Sequence, residues 1–526
     1  MSYTKINSTA ATLTKNRTEE AINSLSGMCV TCVDGCIGMC EIGKSAYRGS
    51  EVIYPQPFGI ITSANEKKYP VDLSHFTILG GVVGAQGIEA DSDKAIFPNV
   101  NLETRIGKDK KIKLRMPLVI PGLGSTAIAK KNWEGLAVGA ALTGIPLTIG
   151  ENVCGMDPAA EIVDGKVKSS KELEWRVKLY KKWQQDGYGA ITVQANVEDT
   201  NLGVLEYAIS ELDVDAVELK WGQGAKNIGG EVKIDDLKKA QLLKKRGYIV
   251  LPDPTDPNII EAFNKGMFTE FERHSRVGMV TEEGFVKRVK KLRELGAKHV
   301  FLKTGAYRPA ALAMAVKLAS KTGIDLLTVD AAGGGTGMSP WRMMNEWGVP
   351  EVELHSMLYK YVDTLAARGE YIPDIAVAGG FAFEDQILKG LALGAPYFKL
   401  VGMARAPLAA EMVGKNIGNA IMAGEMPVYI ERFGKTIDDI FISAPTLRTK
   451  FNKRFDEIPA GGLGLYTYMQ RLNQGLKQIM AGCRKFDLKY ITRNDIAALT
   501  RDASEISGIP YIMECDQGEA KKILEA

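Results

Sequence analysis

The sequence predicts an α/β fold, a (β/α)8 barrel, and two observations carry the prediction. From about residue 116 onward, short apolar runs rich in β-branched residues recur, eight of them before residue 405. Each closes on Gly or a polar residue and is followed by a longer stretch of helical character. Strands buried on both faces read as continuous apolar runs, and helices between them make βα units. The second observation is size: 526 residues, 57.2 kDa, suit a large barrel or two domains. A doubly wound sheet uses the same strand count and stays open as the alternative.

The first four runs are "PLVIPG" (117–122), "PLTIGE" (146–151), "AITVQAN" (190–196) and "AVELKWG" (216–222). The last four are "HVFLKTG" (299–305), "LLTVDAAGGG" (326–335), "DIAVAGG" (374–380) and "YFKLVGM" (397–403). Residues 223–298 are too long for one crossover, so an insertion is expected there, and the ninth run "YIVLPDP" (248–254) is placed in it. Residues 1–115 are expected to form an N-terminal segment, 116–405 the barrel, and 406–526 a mainly helical C-terminal extension.

In such a barrel, ligands bind at the C-terminal ends of the strands, and phosphate commonly sits on the loops after strands 7 and 8. Strand 6 runs into Gly333, Gly334, Gly335, Thr336 and Gly337; strand 7 ends in Gly379-Gly380; strand 8 ends in Gly402-Met403-Ala404-Arg405. Glycines let backbone N–H groups approach an anion closely, so three such ends in succession point to a phosphate cradle. Tight βα turns are the plainer reading of the same glycines. Neither GxGxxG after an early strand nor GxxxxGK[ST] occurs, which leaves flavin mononucleotide (FMN) as the better fit. Gln194, Lys220 and Lys303 end predicted strands, and a cation or amide donor near N1 and C2=O stabilises a reduced flavin.

The charge balance, 66 basic against 63 acidic residues, gives no electrostatic reason to expect nucleic acid or a membrane surface. Residues 1–28 hold no apolar core of a signal peptide and no run of eighteen apolar residues occurs, so a cytoplasmic, non-membrane protein is expected. There thiols stay reduced, and the run "CVTCVDGCIGMC" (29–40) reads as a metal site. Cys29, Cys32, Cys36 and Cys40, spaced C-x2-C-x3-C-x3-C, suit one 4Fe-4S cluster. Zinc is the competing metal, and unliganded thiols are the third reading. Cys154 reads as a small buried residue. His274, in "FERHSRVG", lies in the insertion.

These segments resemble the FMN-binding synthase domain of the glutamate synthase large subunit, in order from roughly 116 to 405. "PGLGSTAIAKKNWEGLAVGAAL" is similar to the family's "MSYGALS" strand and following helix, with Gly122, Gly124 and Ser125 at the loop. "IGENVCGMDP" is similar to "SGEGGEDP", keeping Gly150, Glu151, Asp157 and Pro158. "ELKWGQGAKNIGGE" resembles "KMAQGAKPGEGG", keeping Lys220, Gln223 and Lys226. "DAAGGGTGMSP" resembles "GHDGGTGASP", and Lys303 falls on the lysine of "VKLVSE".

The resemblance implies FMN in the barrel and reduction of 2-iminoglutarate, formed from 2-oxoglutarate and ammonia, to L-glutamate. Electrons would come from ferredoxin or an NAD(P)H-oxidising partner subunit, and a homo-oligomer is expected. It implies catalytic roles for Lys303, Gln223 and Glu151, and substrate contacts from Lys220, Lys226, Arg308 and Asp330. Three departures qualify it. The chain begins Met-Ser-Tyr without the family's glutaminase domain, so a glutaminase would act in trans. No cysteine lies between Cys154 and Cys483, where the family's 3Fe-4S ligands fall. The family's His-Asp pair is Ala332-Gly333 here, with Asp330 just before it. Another imine, amino acid or 2-hydroxy acid, or an electron-transfer role without turnover, are the rival readings.

Overall fold

The computed structural model describes residues 67, 69–89, 91–228, 232–334, 339–426 and 428–526. Eight parallel strands close into a barrel. They are β1 (Leu118–Leu123), β2 (Leu147–Ile149), β3 (Ile191–Ala195), β4 (Ala216–Lys220), β5 (Val300–Thr304), β6 (Leu326–Asp330), β7 (Asp374–Ala378) and β8 (Phe398–Gly402). Each pairs with its neighbour in sequence, β4 with β5 across the insertion, and β8 with β1 through Val401↔Leu118 and Gly402↔Val119. Seven fall within the apolar runs of the sequence, and β1 extends one residue beyond its run, to Leu123. The strand of the sixth run ends at Asp330: Ala331 N–H makes the last ladder bond, to Ala378 O (2.8 Å), and Ala332 N–H leaves the sheet for Val349 O (3.1 Å).

The outer layer is helical: α1 (Ala127–Thr143), α2 (Lys171–Trp183), α3 (Val204–Glu211), α4 (Glu282–Glu294), α5 (Pro309–Thr322), α6 (Glu351–Ala367), α7 (Glu384–Leu393) and α8 (Arg405–Ala423). Local chemistry sets the ends of α1. Thr126 Oγ1 accepts Ala129 N–H at 3.3 Å, and Gly144 leaves the helix with φ 76°. Beyond the barrel, α9 (Ala460–Gly482) packs on α1 and α8.

Two features fall outside the simple eightfold pattern. A hairpin, Thr104–Ile106 paired with Ile112–Leu114, plugs the N-terminal mouth of the barrel. Its Ile106, Ile112 and Leu114 share one buried layer with Val119, Phe301 and Leu400 of the strands. Lys110 pairs with Asp374 at the start of β7, and Gly107 N–H donates to the same carboxylate at 2.9 Å. Between β4 and β5, three antiparallel strands order as Val232–Ile234, Phe271–His274 and Ile249–Leu251, so the ninth apolar run is a strand of this insertion. Near the C-terminus, Ile496–Ala498 pairs antiparallel with Phe76–Ile78. No helix of the described residues is long and apolar enough to cross a membrane.

Candidate active site

Alternation along a strand turns every second residue inward. Ala216, Phe301 and Leu326 lie in the bottom layer, so Glu218 and Lys220 of β4, Lys303 of β5, and Thr328 and Asp330 of β6 follow on the inside above them. The barrel interior therefore changes from apolar at the plugged end to ionisable at the C-terminal end.

Lys303 Nζ lies 3.3 Å from Asp330 Oδ2, with both side chains 7% exposed. Burial alone would lower the Lys303 pKa; the Asp330 and Glu218 charges more than offset it and hold it above the usual lysine value. Asp330 also accepts Gly224 N–H at 3.1 Å, tying the loop after β4 to β6. Gln194 Nε2 donates to Glu218, whose carboxyl burial pushes upward.

A second ionic group sits at the ends of β2 and β4. Lys220 Nζ donates to Glu151 Oε1 at 2.7 Å and to Gln223 Oε1 at 2.9 Å. Burial would raise Glu151, but the Lys220 ammonium overrides it and holds the carboxyl at about 2. Burial, then the Lys220 charge, push Lys226 down to about 7. Glu151, Lys220, Gln223 and Lys226 line one cavity of about 330 Å³ whose outer wall is the insertion, including Met279 and Val280. The two insertion arginines in that wall are already neutralised: Arg276 donates to Glu198 at 2.7 Å, and Arg288 grips Glu206 with both terminal nitrogens.

The Glu151 loop is itself held from below. Asn152, at φ 67°, donates its N–H to Asp199 Oδ2 at 2.8 Å, and its Oδ1 accepts Tyr248 O–H at 3.2 Å. Arg273 of the insertion lies over the Tyr248 ring, 5.2 Å from its centroid. The insertion is thus docked onto the loop that carries Glu151.

The glycine-rich ends meet each other closely. A Cβ on Gly334 would lie 1.9 Å from Asp330 Oδ1, and one on Gly379, at φ 130°, would lie 2.6 Å from Ala331 Cβ. Gly380, the second residue beyond β7, follows at φ 140°. Arg405 Nη2 donates to Gly333 O at 2.8 Å, joining the loop after β6 to the start of α8. Ala404 places no side-chain cap on α8, so the orphan N–H groups of that helix follow Gly402 and the buried Met403.

Other expected residues fall as follows. Gly122 lies inside β1 against Gln194, and Ser125, after Gly124, donates its N–H to Glu151 O at 3.2 Å. Arg308 is exposed at the start of α5 and does not line the cavity. Neither does His274, and Cys154 is buried, its thiol pushed up by that burial. Gly335, Thr336, Gly337 and the cysteines at 29, 32, 36 and 40 lie outside the described residues. Among the described residues, no group of three or more His, Cys, Asp or Glu is placed to hold a metal ion. Sequence reasoning missed Glu218, Asp199, Tyr248 and Arg273. The Ala216, Glu218, Lys220 alternation was the available signal for the first.

A closed parallel barrel with its charged groups gathered at the strand ends defines an α/β barrel of the enzyme type. Residues 274–413 match the conserved region in glutamate synthase. A glutamate synthase large subunit-like protein of Rhizobium meliloti (strain 1021) is 24% identical over 471 residues, covering 86% of this chain and 89% of that one. Among solved structures, the flavin-binding domain of baker's yeast flavocytochrome b2 is 13% identical, covers 81% of this chain and 77% of that one, and gives a TM-score of 0.46. The monotopic membrane protein (S)-mandelate dehydrogenase is 12% identical, covers 81% and 89% respectively, and gives 0.44. This chain carries a glutamate synthase-like domain.

Proposed function

We propose that the protein is an FMN-dependent oxidoreductase that reduces an imine at the C-terminal end of the barrel. The observation that carries this reading is Lys303, a buried ammonium held charged beside Asp330 and Glu218 inside the strand ends of a glutamate synthase-like barrel. The residues present suit FMN. Gln194 Oε1 and Gln223 Nε2 are buried polar atoms without a hydrogen-bond partner among the described residues. The uncapped N-terminus of α8 and the Gly379-Gly380 end suit a phosphate. When bound, FMN supplies a hydride acceptor and donor that can exchange electrons singly with an iron-sulfur centre.

The substrate we assign is 2-iminoglutarate. Ammonia and 2-oxoglutarate condense with loss of water, and two electrons and two protons then convert the imine to L-glutamate. Lys303 is suited to pair with a carboxylate or give a proton, while Lys220 and Lys226 provide positive charge at the cavity. Glu151 and Gln223, both bonded to Lys220, are suited to orient the nitrogen. Electrons would arrive from ferredoxin or an NAD(P)H-oxidising subunit through a 4Fe-4S cluster on Cys29, Cys32, Cys36 and Cys40. A second reading, another 2-oxo acid imine with an apolar tail, is favoured by the position of Arg308 outside a cavity walled by Met279 and Val280.

The test is anaerobic reoxidation of the reduced flavin. We expect it only when 2-oxoglutarate and ammonia are both present. Lys303→Ala should slow it by about a hundredfold or more while flavin is retained. Reoxidation by apolar 2-oxo acids with ammonia, but not by 2-oxoglutarate, selects the second reading. Reoxidation by an artificial electron acceptor alone, unchanged in Lys303→Ala, would leave an electron carrier.

A further inference from the structure

At the plugged end of the barrel, opposite the candidate active site, a cavity of about 420 Å³ opens between the hairpin, the turn from α7 into β8 and residues 487–491. Ile106, Ile112 and Leu114 of the hairpin point into the barrel core. Alternation turns Arg105 and Lys113 to the opposite face, and both line this cavity. They are direct cross-strand partners. Like charges directly opposite each other on an antiparallel pair are destabilising, so this pairing costs the hairpin stability.

Lys399, half-buried on β8, lines the same cavity. Among the described residues no carboxylate lies within ion-pair distance of Arg105, Lys113 or Lys399; the carboxylate whose charge acts on Lys399 is Asp374, which is already paired with Lys110. The two acids of the wall are engaged by neutral donors instead: Glu103 accepts Tyr188 O–H at 2.9 Å, and Asp487 accepts Asn101 Nδ2 at 3.0 Å and Lys489 N–H at 3.0 Å. Leu391, Pro396, Phe398, Leu488 and Ile491 give the cavity an apolar side, and Lys489 adds a further cation. Solubility alone would be served by scattered charges of both signs. Four cations, Arg105, Lys113, Lys399 and Lys489, against the two carboxylates Glu103 and Asp487 around one concave site with an apolar side fit a ligand that is anionic at one end.

We infer that this cavity binds a phosphorylated small molecule of nucleotide size. Arg105 grips the phosphate oxygens with its planar fork, Lys113 and Lys399 add point charges, and the apolar wall receives the body of the ligand. The site is independent of the imine chemistry at the other end of the barrel.

The experiment is calorimetric titration of the full chain, saturated with FMN, using ATP, pyrophosphate and adenosine as probes. We expect saturable binding of one ATP per chain, and binding of adenosine at least about tenfold weaker, because the charged end supplies the anchor. In the double variant Arg105→Gln, Lys113→Gln, ATP affinity should fall about tenfold or more with flavin content unchanged. The ligand-free double variant should melt no lower than the parent, since a repulsive pair has been removed. The proposal is overturned if neither ATP nor pyrophosphate binds saturably, if adenosine binds as tightly as ATP, or if the double variant binds ATP as the parent does. A lower melting temperature for that variant would equally overturn it, because the cations would then be making stabilising contacts.

Discussion

Asp199 shows how much a single buried carboxyl can control. It is 1% exposed and its neighbours are Glu151, Asn152, Asn196, Tyr248 and Arg273, so three segments of chain meet on it. Burial raises its pKa most, the Asn152 N–H lowers it, the Glu151 charge raises it again, and the balance is about 7 against an ordinary 3.8. An acid whose folded pKa lies above its unfolded one stabilises the fold in its protonated form. That contribution is complete below the unfolded value of 3.8 and is lost as pH rises through about 7. Asp199→Asn keeps an acceptor for Asn152 N–H and removes the charge, so thermal melts of the variant should fall less than those of the parent between about pH 5 and about pH 8. Parallel profiles would show that Asp199 does not titrate in this window. Lys303 was legible in the sequence because it sits at the end of an apolar run, and Glu151 because its segment resembles a family motif. Asp199, Tyr248 and Arg273 were not, because what makes them matter is contact between segments far apart in the chain.

At the scale of elements, the eight strands were readable because a strand covered on both faces must be apolar throughout, and few other segments are. The plug hairpin was not, since three-residue strands such as "TRI" and "IKL" carry too little pattern to stand out from a loop. Helix packing was equally hidden. The approach of α8 to α9 depends on Gly414 and Gly464: a Cβ on Gly414 would lie 2.5 Å from Ala460 O, and one on Gly464 would lie 2.6 Å from Ala410 O. Gly464→Leu must therefore separate the two helices, at a cost of about 1–3 kcal/mol or more. Because α8 begins at Arg405, which bonds Gly333 O, the displacement reaches the strand ends. Lower melting temperature together with a lower flavin-to-protein ratio is expected. Gly482→Ala, at the end of α9 with nothing within 4 Å of the added carbon, is the matched control and should leave both unchanged. Loss of stability with full flavin content would separate helix packing from the candidate phosphate site.

Over the whole molecule, the two ends of the described chain hold each other. Phe76–Ile78 has its strand partner in Ile496–Ala498, and Gln86 bonds to two residues of the tail, its N–H donating to Arg484 O at 2.9 Å and its carbonyl accepting Phe486 N–H at 2.8 Å. Asn101 N–H then donates to Phe486 O at 2.9 Å, just before the hairpin that plugs the barrel. Phe486, Ile496 and Ile509 are buried, so this clamp has an apolar core of its own. A three-residue strand without its partner is too short to persist in water. Truncation after residue 482 removes the partner strand but leaves all eight barrel strands, and the helices of the outer layer, intact in sequence. Hydrogen exchange in peptides spanning residues 71–88 should then accelerate by about tenfold or more, while β5 to β8 keep their protection. The contrast between the two regions is what the clamp requires. Equal acceleration in the barrel strands would mean that the tail belongs to the same cooperative unit as the barrel, and that no separable clamp exists.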